Sequence, residues 1–323
     1  MNQHEPGTLG ELGEFGLISK VTEGLPQNSQ VLVGPGDDAA VVAVPDGSVV
    51  ISTDVLIEGR HFRRDWSTPI DIGRRAAAAS LSDIVAMGAQ PTAVVVAFAG
   101  PADLPAAWAV ACTAGLRAEL DSLKVALVGG DVTSADAVMI TVTAIGDLAG
   151  REPVLRSGAR PGDLIAIAGR HGWAAAGLAL LSRGFRSPKK LVDAHRFPLP
   201  PYEAGPLAAR SGATAMIDVS DGLIADARHL AQASNAVLAI DSSLIAVPEE
   251  LASAASAYNM DPREWMLTGG DDHALLATFP KQVKIPSIFA VIGEVQASGT
   301  QGAGVSVDGH IVKSRGGHEH FRS

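Results

Sequence analysis

The residues of this chain best suited to chemistry are its aspartates, and where they fall matters more than how many there are. Asp37 and Asp38 lie in GPGDDAAVV, Asp54 closes VVISTD, and Asp83 lies in SLSDIVAMGA. Asp131 follows two glycines in VALVGGD, Asp218 and Asp221 occupy IDVSDGL, and Asp271 and Asp272 follow two more glycines in TGGDD. The recurring context is a carboxylate at or beside the expected end of a strand, often with glycine next to it. Ligands of α/β folds bind outside strand ends, and glycine lets a backbone approach a phosphate closely. If such carboxylates converge they repel, by about 4 kcal/mol for two charges ~4 Å apart at an effective dielectric of ~20. A convergent cluster therefore needs cations. All-oxygen ligands favour Mg²⁺ or Ca²⁺ over zinc or copper, and Mg²⁺ is commonly shared between carboxylates and nucleotide phosphates. Each aspartate taken alone also reads as an N-cap or turn residue. Asp83, inside an alanine-rich apolar helix, fits that reading least well.

The elements that must carry these residues alternate. In the first half, strands are expected at Asp38–Val44, Val49–Thr53, Thr92–Phe98, Lys124–Val128 and Val138–Ile145. Helices are expected at about Asp71–Met87 and Pro105–Leu120, the first closed by Gly88 and Pro91. Its Ala76–Ala79 run is smooth enough for another element to pack close. The polar stretch GDLAGREPVLRSGARPG marks a boundary, dividing the chain into domains 1–148 and 149–323. Beyond it come a strand at Leu164–Ala168, a helix near Trp173–Ser182, a strand at Ala215–Asp218 and a helix at Leu223–Ala233. Further strands are expected near Val237–Ile240, Ala274–Phe279 and Phe289–Ile292. Alternation in both halves indicates an α/β (α+β) protein of two domains, as does the length of 323 residues.

Composition removes several alternatives. Hydrophobic residues make up 47% and charged residues 19%, which suits a folded core and not a disordered chain. A net charge of −10 argues against nucleic-acid binding through a general positive field, although bound cations can reverse the sign of a local site. The single cysteine, Cys112, excludes an intrachain disulfide and a cysteine-based zinc cluster. The N-terminal MNQHEPGTLGELGEF has no basic start or apolar core, so no signal peptide is expected, and no apolar run is long enough to span a membrane. A cytoplasmic enzyme is the default. Neither a GxxxxGK[ST] loop, the protein-kinase motif set nor a GxGxxG fingerprint is present. A nucleotide site here would rest on metal-bridging acids, without a lysine cradle.

Seven segments, GPGDDAAVV, ISTDVLIEGRHF, LSDIVAMGAQP, LVGGDVT, LRSGARPGD, IDVSDGLIAD and TGGDDHALL, together with the tail HEHF, resemble the motifs of the thiamine-monophosphate kinase family in order. That family shares a superfamily with aminoimidazole ribonucleotide synthetase and selenophosphate synthetase. The resemblance implies an N-terminal domain that binds ATP and Mg²⁺ and pairs its sheet across the two-fold of a homodimer, followed by a C-terminal α/β domain. It implies transfer of the γ-phosphoryl group of ATP to thiamine monophosphate, with several Mg²⁺ ions. By position, Asp37, Ser52, Thr53, Asp54, Asp83, Asp131, Asp218 and Asp221 correspond to metal-site residues, with Asp54, Asp83 and Asp131 as the catalytic acids. Gly130, Asp131, Arg156 and Ser220 correspond to the ATP site, and His61, Asp271 and Phe321 to the thiamine-substrate site. The family commonly reads GGEDYEL where this chain has GGDDHAL, so Asp271 presents a shorter carboxylate. An aromatic residue that meets the nucleotide in some members falls near Thr113, which leaves the adenine contact unassigned. The rival readings are another ATP-dependent enzyme of the superfamily and a catalytically silent homologue. Selenophosphate synthetase usually carries a reactive cysteine near its N-terminus, and this chain has none there.

Overall fold

The computed structural model describes residues 8–33, 41–313 and 316–317. They divide into two compact units, Met1–Ile84 with Gln90–Gly150, and Val85–Ala89 with Arg151–Ser323.

The first unit runs α1 (Leu9–Leu12), α2 (Glu14–Thr22), β1 (Val31–Val33), β2 (Val41–Val42), β3 (Val50–Ile57), α3 (Pro69–Ala86), β4 (Gln90–Gly100), α4 (Ala106–Leu123), β5 (Ala126–Ser134) and β6 (Met139–Asp147). Four strands form a sheet in the order β3-β6-β4-β5. Only β4 and β5 pair in parallel, and α4 supplies the crossover that a parallel pair requires. Along β3 the side chains alternate. Ser52, Asp54 and Leu56 are covered, whereas Ile51, Thr53 and Val55 face outward. Facing the covered set, β6 contributes the buried Ile140, Val142 and Ala144. Helix α3 is fastened to this covered side by Ser80, whose Oγ donates to the Val142 carbonyl at 2.8 Å. Its alanines 76–79 are buried, and α4 approaches so closely that a Cβ on Gly73 would lie 1.9 Å from the Cys112 carbonyl oxygen.

Two expected strand ends lie elsewhere. Asp54 does not end β3, which continues to Ile57, and Asp131 lies inside β5, which continues to Ser134. The glycines before Asp131 read as a terminator, but β4 runs alongside and pairs Ala97 with Asp131 and Gly100 with Ser134. Ladder pairing outweighs the weak strand preference of glycine. Lys124, expected to begin that strand, instead caps α4 in a left-handed conformation with φ 58°. Of the expected strand at 38–44, Val41–Val42 is observed, and residues 38–40 lie outside the described residues.

The second unit runs β7 (Leu164–Ala168), α5 (Trp173–Ser182), α6 (Lys189–Arg196), α7 (Ala204–Arg210), β8 (Ala215–Val219), α8 (Leu223–Ala233), β9 (Ala236–Ile240), α9 (Glu249–Tyr258), α10 (Pro262–Thr268), β10 (Ala274–Phe279), β11 (Phe289–Ala297), β12 (Gly304–Val307) and β13 (His310–Ile311). Its seven strands order as β13-β12-β9-β11-β7-β10-β8. Every residue of β8 and β10 is buried. The residues just beyond these two strands are thereby held on a rigid base. The mixed α/β class expected from the alternation is what the chain adopts. No described helix is long and apolar enough to cross a membrane.

Candidate active site

The proposed site residues fall into two sets, one in each unit. In the first, β3, α3 and β5 each carry part of the set. Ser52 Oγ donates to Asp83 Oδ2 at 2.5 Å, joining the middle of β3 to the last turns of α3. Asp54, two residues along the same face of β3, is level with Val142, and Val142 with Val96. Val96 in turn is level with Gly130 of β5. A Cβ on Gly130 would lie 1.9 Å from the Val96 carbonyl oxygen, so only glycine admits this approach of β5 to β4. Asp131 follows, exposed.

Thr53 behaves differently from its neighbours. Its side chain points to the opposite face, where its hydroxyl pairs with that of Thr143 at 2.9 Å. Any metal contact from Thr53 on the Asp54 side therefore falls to its main chain. His61 lies in the turn after β3, where the Ile57 N–H donates to its Nδ1 at 3.0 Å. Nδ1 is thus an acceptor, and the neutral ring carries its proton on Nε2.

Among the described residues, no three His, Cys, Asp or Glu side chains converge tightly enough to hold a metal unaided. The donor set nevertheless suits Mg²⁺. Asp54 Oδ2 is closed off from solvent and has no hydrogen-bond partner among the described residues. An ionised carboxylate oxygen can only accept, and a bound cation would compensate a buried one that lacks a donor. Mg²⁺ usually takes one or two carboxylates and completes its shell with water and phosphate oxygens. A sparse, all-oxygen set fits that habit.

Beside Gly130 and Asp131 lies a cavity of about 90 Å³, lined mainly by apolar side chains including Leu17, Val21, Phe98 and Cys112. Thr113 also lines it. Burial pushes the Cys112 thiol up to about 12, so it behaves as an inert apolar group.

In the second unit, β8 delivers Asp218, which is 5% exposed, and the turn beyond it delivers Ser220 and Asp221. The segment bearing the exposed Arg156 runs beside β8, where the Leu155 carbonyl accepts from Met216 N at 3.3 Å. The TGGDD segment packs against the same turn, with Asp271 N donating to the Ser220 carbonyl at 2.8 Å and His273 N to that of Val219 at 3.1 Å. The packing is close, for a Cβ on Gly270 would lie 2.2 Å from the Ser220 carbonyl oxygen. Asp271 and His273 are both left-handed, at φ 68° and 53°, a region that side-chain-bearing residues seldom occupy.

Two further aspartates hold this turn from behind: Asp226, which the sequence did not single out, and Asp272, grouped there with the carboxylates suited to chemistry but given no particular site. Asp226, in the first turn of α8, accepts from the N–H groups of Asp221 at 3.0 Å and Gly222 at 3.1 Å. Burial, and then the nearby Asp218 and Asp221 charges, push its carboxyl up to about 8. Asp272 reaches α5, where its Oδ1 accepts from Ala174 N at 3.0 Å, and burial pushes its carboxyl up to about 7. An Asp four residues after the glycine that opens a helix was the available signal for Asp226. Asp37 and Phe321 lie outside the described residues.

Comparison with known proteins agrees in both units. The profile of AIR synthase related protein, N-terminal domain, matches residues 36–148, and that of the C-terminal domain matches residues 160–306. Thiamine-monophosphate kinase of Mycobacterium tuberculosis is 48% identical over 90% of this chain and 87% of its own length. The enzyme of that name from Aquifex aeolicus is 34% identical over 97% of this chain and 99% of its own. A solved structure described as AaThiL complexed with AMPPCP and TMP aligns with a TM-score of 0.79 at 33% identity, covering 95% of this chain and 96% of that one. The hydrogenase maturation protein HypE, solved in complex with ATP, aligns with a TM-score of 0.71 at 20% identity and shares the fold.

Proposed function

The chain belongs to the thiamine-monophosphate kinase family of AIR synthase related proteins, and from this membership we infer an ATP-dependent kinase that phosphorylates thiamine monophosphate to thiamine diphosphate. The observation that carries the inference is similarity to enzymes of that name over most of the length of both chains. The transfer we propose is direct and in line. The acceptor is itself a phosphate, already anionic near neutral pH, so no strong general base is required. The protein's task is to align two anionic phosphates and offset their repulsion, a matter of positioning and electrostatics.

On this reading Asp37, Ser52, Asp54, Asp83, Asp131, Asp218, Asp221 and the main chain of Thr53 would hold Mg²⁺. When bound, Mg²⁺ supplies positive charge to the phosphate oxygens and orients them. Gly130, whose missing Cβ lets β5 close on β4, is assigned to the nucleotide, and the apolar cavity beside it can bury part of a flat base. Ser220 offers a hydroxyl and Arg156 a planar guanidinium suited to phosphate oxygens. His61, whose Nδ1 is engaged by its own turn, is assigned to the acceptor, as are Asp271 and Phe321. The shorter Asp271 is placed by a left-handed backbone and by its hydrogen bond to Ser220.

We also propose a homodimer formed through the outer face of the four-stranded sheet. Ile51 is 61% exposed there and Val55 39%, an apolar strip on an otherwise regular β surface. A cytoplasmic location follows from the supply of ATP. A coupled assay of ADP release, with thiamine monophosphate as acceptor and Mg²⁺ present or chelated, tests the whole reading. Acceptor-dependent ADP release that chelation abolishes is the expected result. ATP turnover indifferent to thiamine monophosphate would return the chain to another activity of the superfamily, and no turnover at all to a silent homologue.

A further inference from the structure

The turn that carries the second aspartate set contains a side chain to which the kinase reading gives no task. His273 is the last residue before β10, whose first residue, Ala274, is level with Val219 of β8. Its backbone is left-handed at φ 53°, and its N–H is spent on the Val219 carbonyl. The imidazole lies against Asp218, with Nδ1 3.3 Å from Oδ2. Both side chains are nearly closed off, at 11% and 7% exposure.

An ionised Asp218 can only accept, so the proton in this contact belongs to Nδ1. The carboxylate plane of an aspartate turns about a broad, soft torsion, and β8 fixes where Asp218 begins but not how its oxygens face. A donor held on one oxygen sets that plane and leaves the other oxygen for a cation. Metal-binding carboxylates are commonly held by such a hydrogen bond, and losing the outer partner costs about 10- to 100-fold in metal affinity. We propose that His273 is a positioning residue for Asp218, orienting it toward the metal-bound nucleotide. The proposal rests on the kinase reading and adds to it a residue that acts through Asp218.

The experiment uses the full chain, saturated with a non-hydrolysable ATP analogue and titrated with Mn²⁺, with bound ion followed by electron paramagnetic resonance against the analogue alone. His273→Phe keeps a ring and removes the donor. His273→Asn keeps a donor near the Nδ1 position and tolerates a left-handed backbone. We expect the dissociation constant of at least one Mn²⁺ site to rise about 10- to 100-fold in the Phe variant. The Asn variant should stay within about threefold of wild type, and the acceptor KM should hold in both. If the Phe variant does not fold, His273→Gly, relaxed at positive φ, gives the same comparison. Wild-type Mn²⁺ binding in the Phe or Gly variant overturns the proposal, as does an Asn variant no better than Phe. Should wild type itself bind no Mn²⁺ beyond the analogue, and Asp218→Asn change nothing, the kinase reading of this set fails first and takes the proposal with it.

Discussion

The two aspartate sets are built on opposite principles. In the first unit the residues ride on regular elements, and sheet register together with one short hydroxyl contact, Ser52 to Asp83, places them. In the second, Asp218 lies near the end of a buried strand, and the other residues occupy a turn placed by close backbone packing, left-handed residues and two buried carboxylates, Asp226 and Asp272. A residue on a strand can lose its charge while the ladder that places it survives. A residue in a packed turn shares its position with everything that touches the turn. Substitutions should therefore report chemistry in the first unit and geometry in the second.

The largest effect tests the first half of that contrast. Asp54→Asn and Asp83→Asn should each lower turnover at least about hundredfold, the scale of removing one electrostatic partner from a charged transition state. Each exchange keeps shape and removes charge, so the melting temperature should hold or rise slightly as carboxylate repulsion is relieved. Turnover and thermal melting on the same preparations decide. A variant that melts early would show that the first unit is not the tolerant scaffold its register suggests.

Gly270→Ala is the counterpart in the second unit. Its new methyl would lie 2.2 Å from the Ser220 carbonyl oxygen, which is backbone and cannot swing aside. Forced repacking of this kind costs about 1–3 kcal/mol. Stability and turnover should fall together, because Asp271 and Ser220 are bonded partners across the same contact. Denaturant unfolding alongside kinetics reads both. Wild-type stability with wild-type rates would mean that the turn yields, and the contrast would lose its basis.

How far these differences were legible beforehand follows the same division. In the first unit the two long helices and the strands of the four-stranded sheet were readable because apolar periodicity and alanine runs mark them. Asp83 could be placed on its helix from composition alone, whereas the short α1, α2 and β1 were not read. The second unit's turn could be located from its motifs but not built. The spacing of Asp226 from Gly222 was a local signal, but nothing local in TGGDD says that Asp272 will cap α5 from 98 residues away. Such contacts depend on which strands neighbour one another, and the order β7-β10-β8 is a tertiary fact. Helix α6 was missed for a related reason. It buries only Leu191, Val192, Ala194 and His195 in eight mostly polar residues, too short a stripe to show a period.

A smaller effect distinguishes the units by pH. His171, between β7 and α5, is buried, and neither ring nitrogen has a hydrogen-bond partner among the described residues. Burial lowers its pKa from 6.5 to about 4. Between those values the unfolded chain binds the proton and the folded chain does not. The stability contribution is therefore complete above about pH 6.5 and is lost as pH falls toward 4. From pH 7 to pH 5 this one group should cost about 2 kcal/mol. His171→Phe should flatten the decline by that amount in unfolding curves at the two pH values. An unchanged slope would show that the ring is already protonated, or wet, in the native state.

The smallest expected effect is the most discriminating for the first unit. Thr53 stands between two proposed metal residues, yet its hydroxyl faces the other side of the sheet and meets Thr143. Thr53→Val preserves shape and strand preference and removes only that hydroxyl. If the side chain is not a ligand, the exchange removes no metal contact, and a residue of the same shape keeps the outward surface that β3 offers to the proposed dimer. Turnover and the Mg²⁺ concentration for half-maximal rate should then stay within about twofold of wild type. Ser52→Ala, on the Asp83 side, should shift both by more, since it strips a carboxylate oxygen of its donor. Mg²⁺ titrations of the two variants side by side settle which face of β3 serves the metal. A Thr53→Val enzyme as impaired as Ser52→Ala would mean that the alternation of β3 does not hold in the working enzyme, and that the strand must turn at Thr53 to bring its hydroxyl inward.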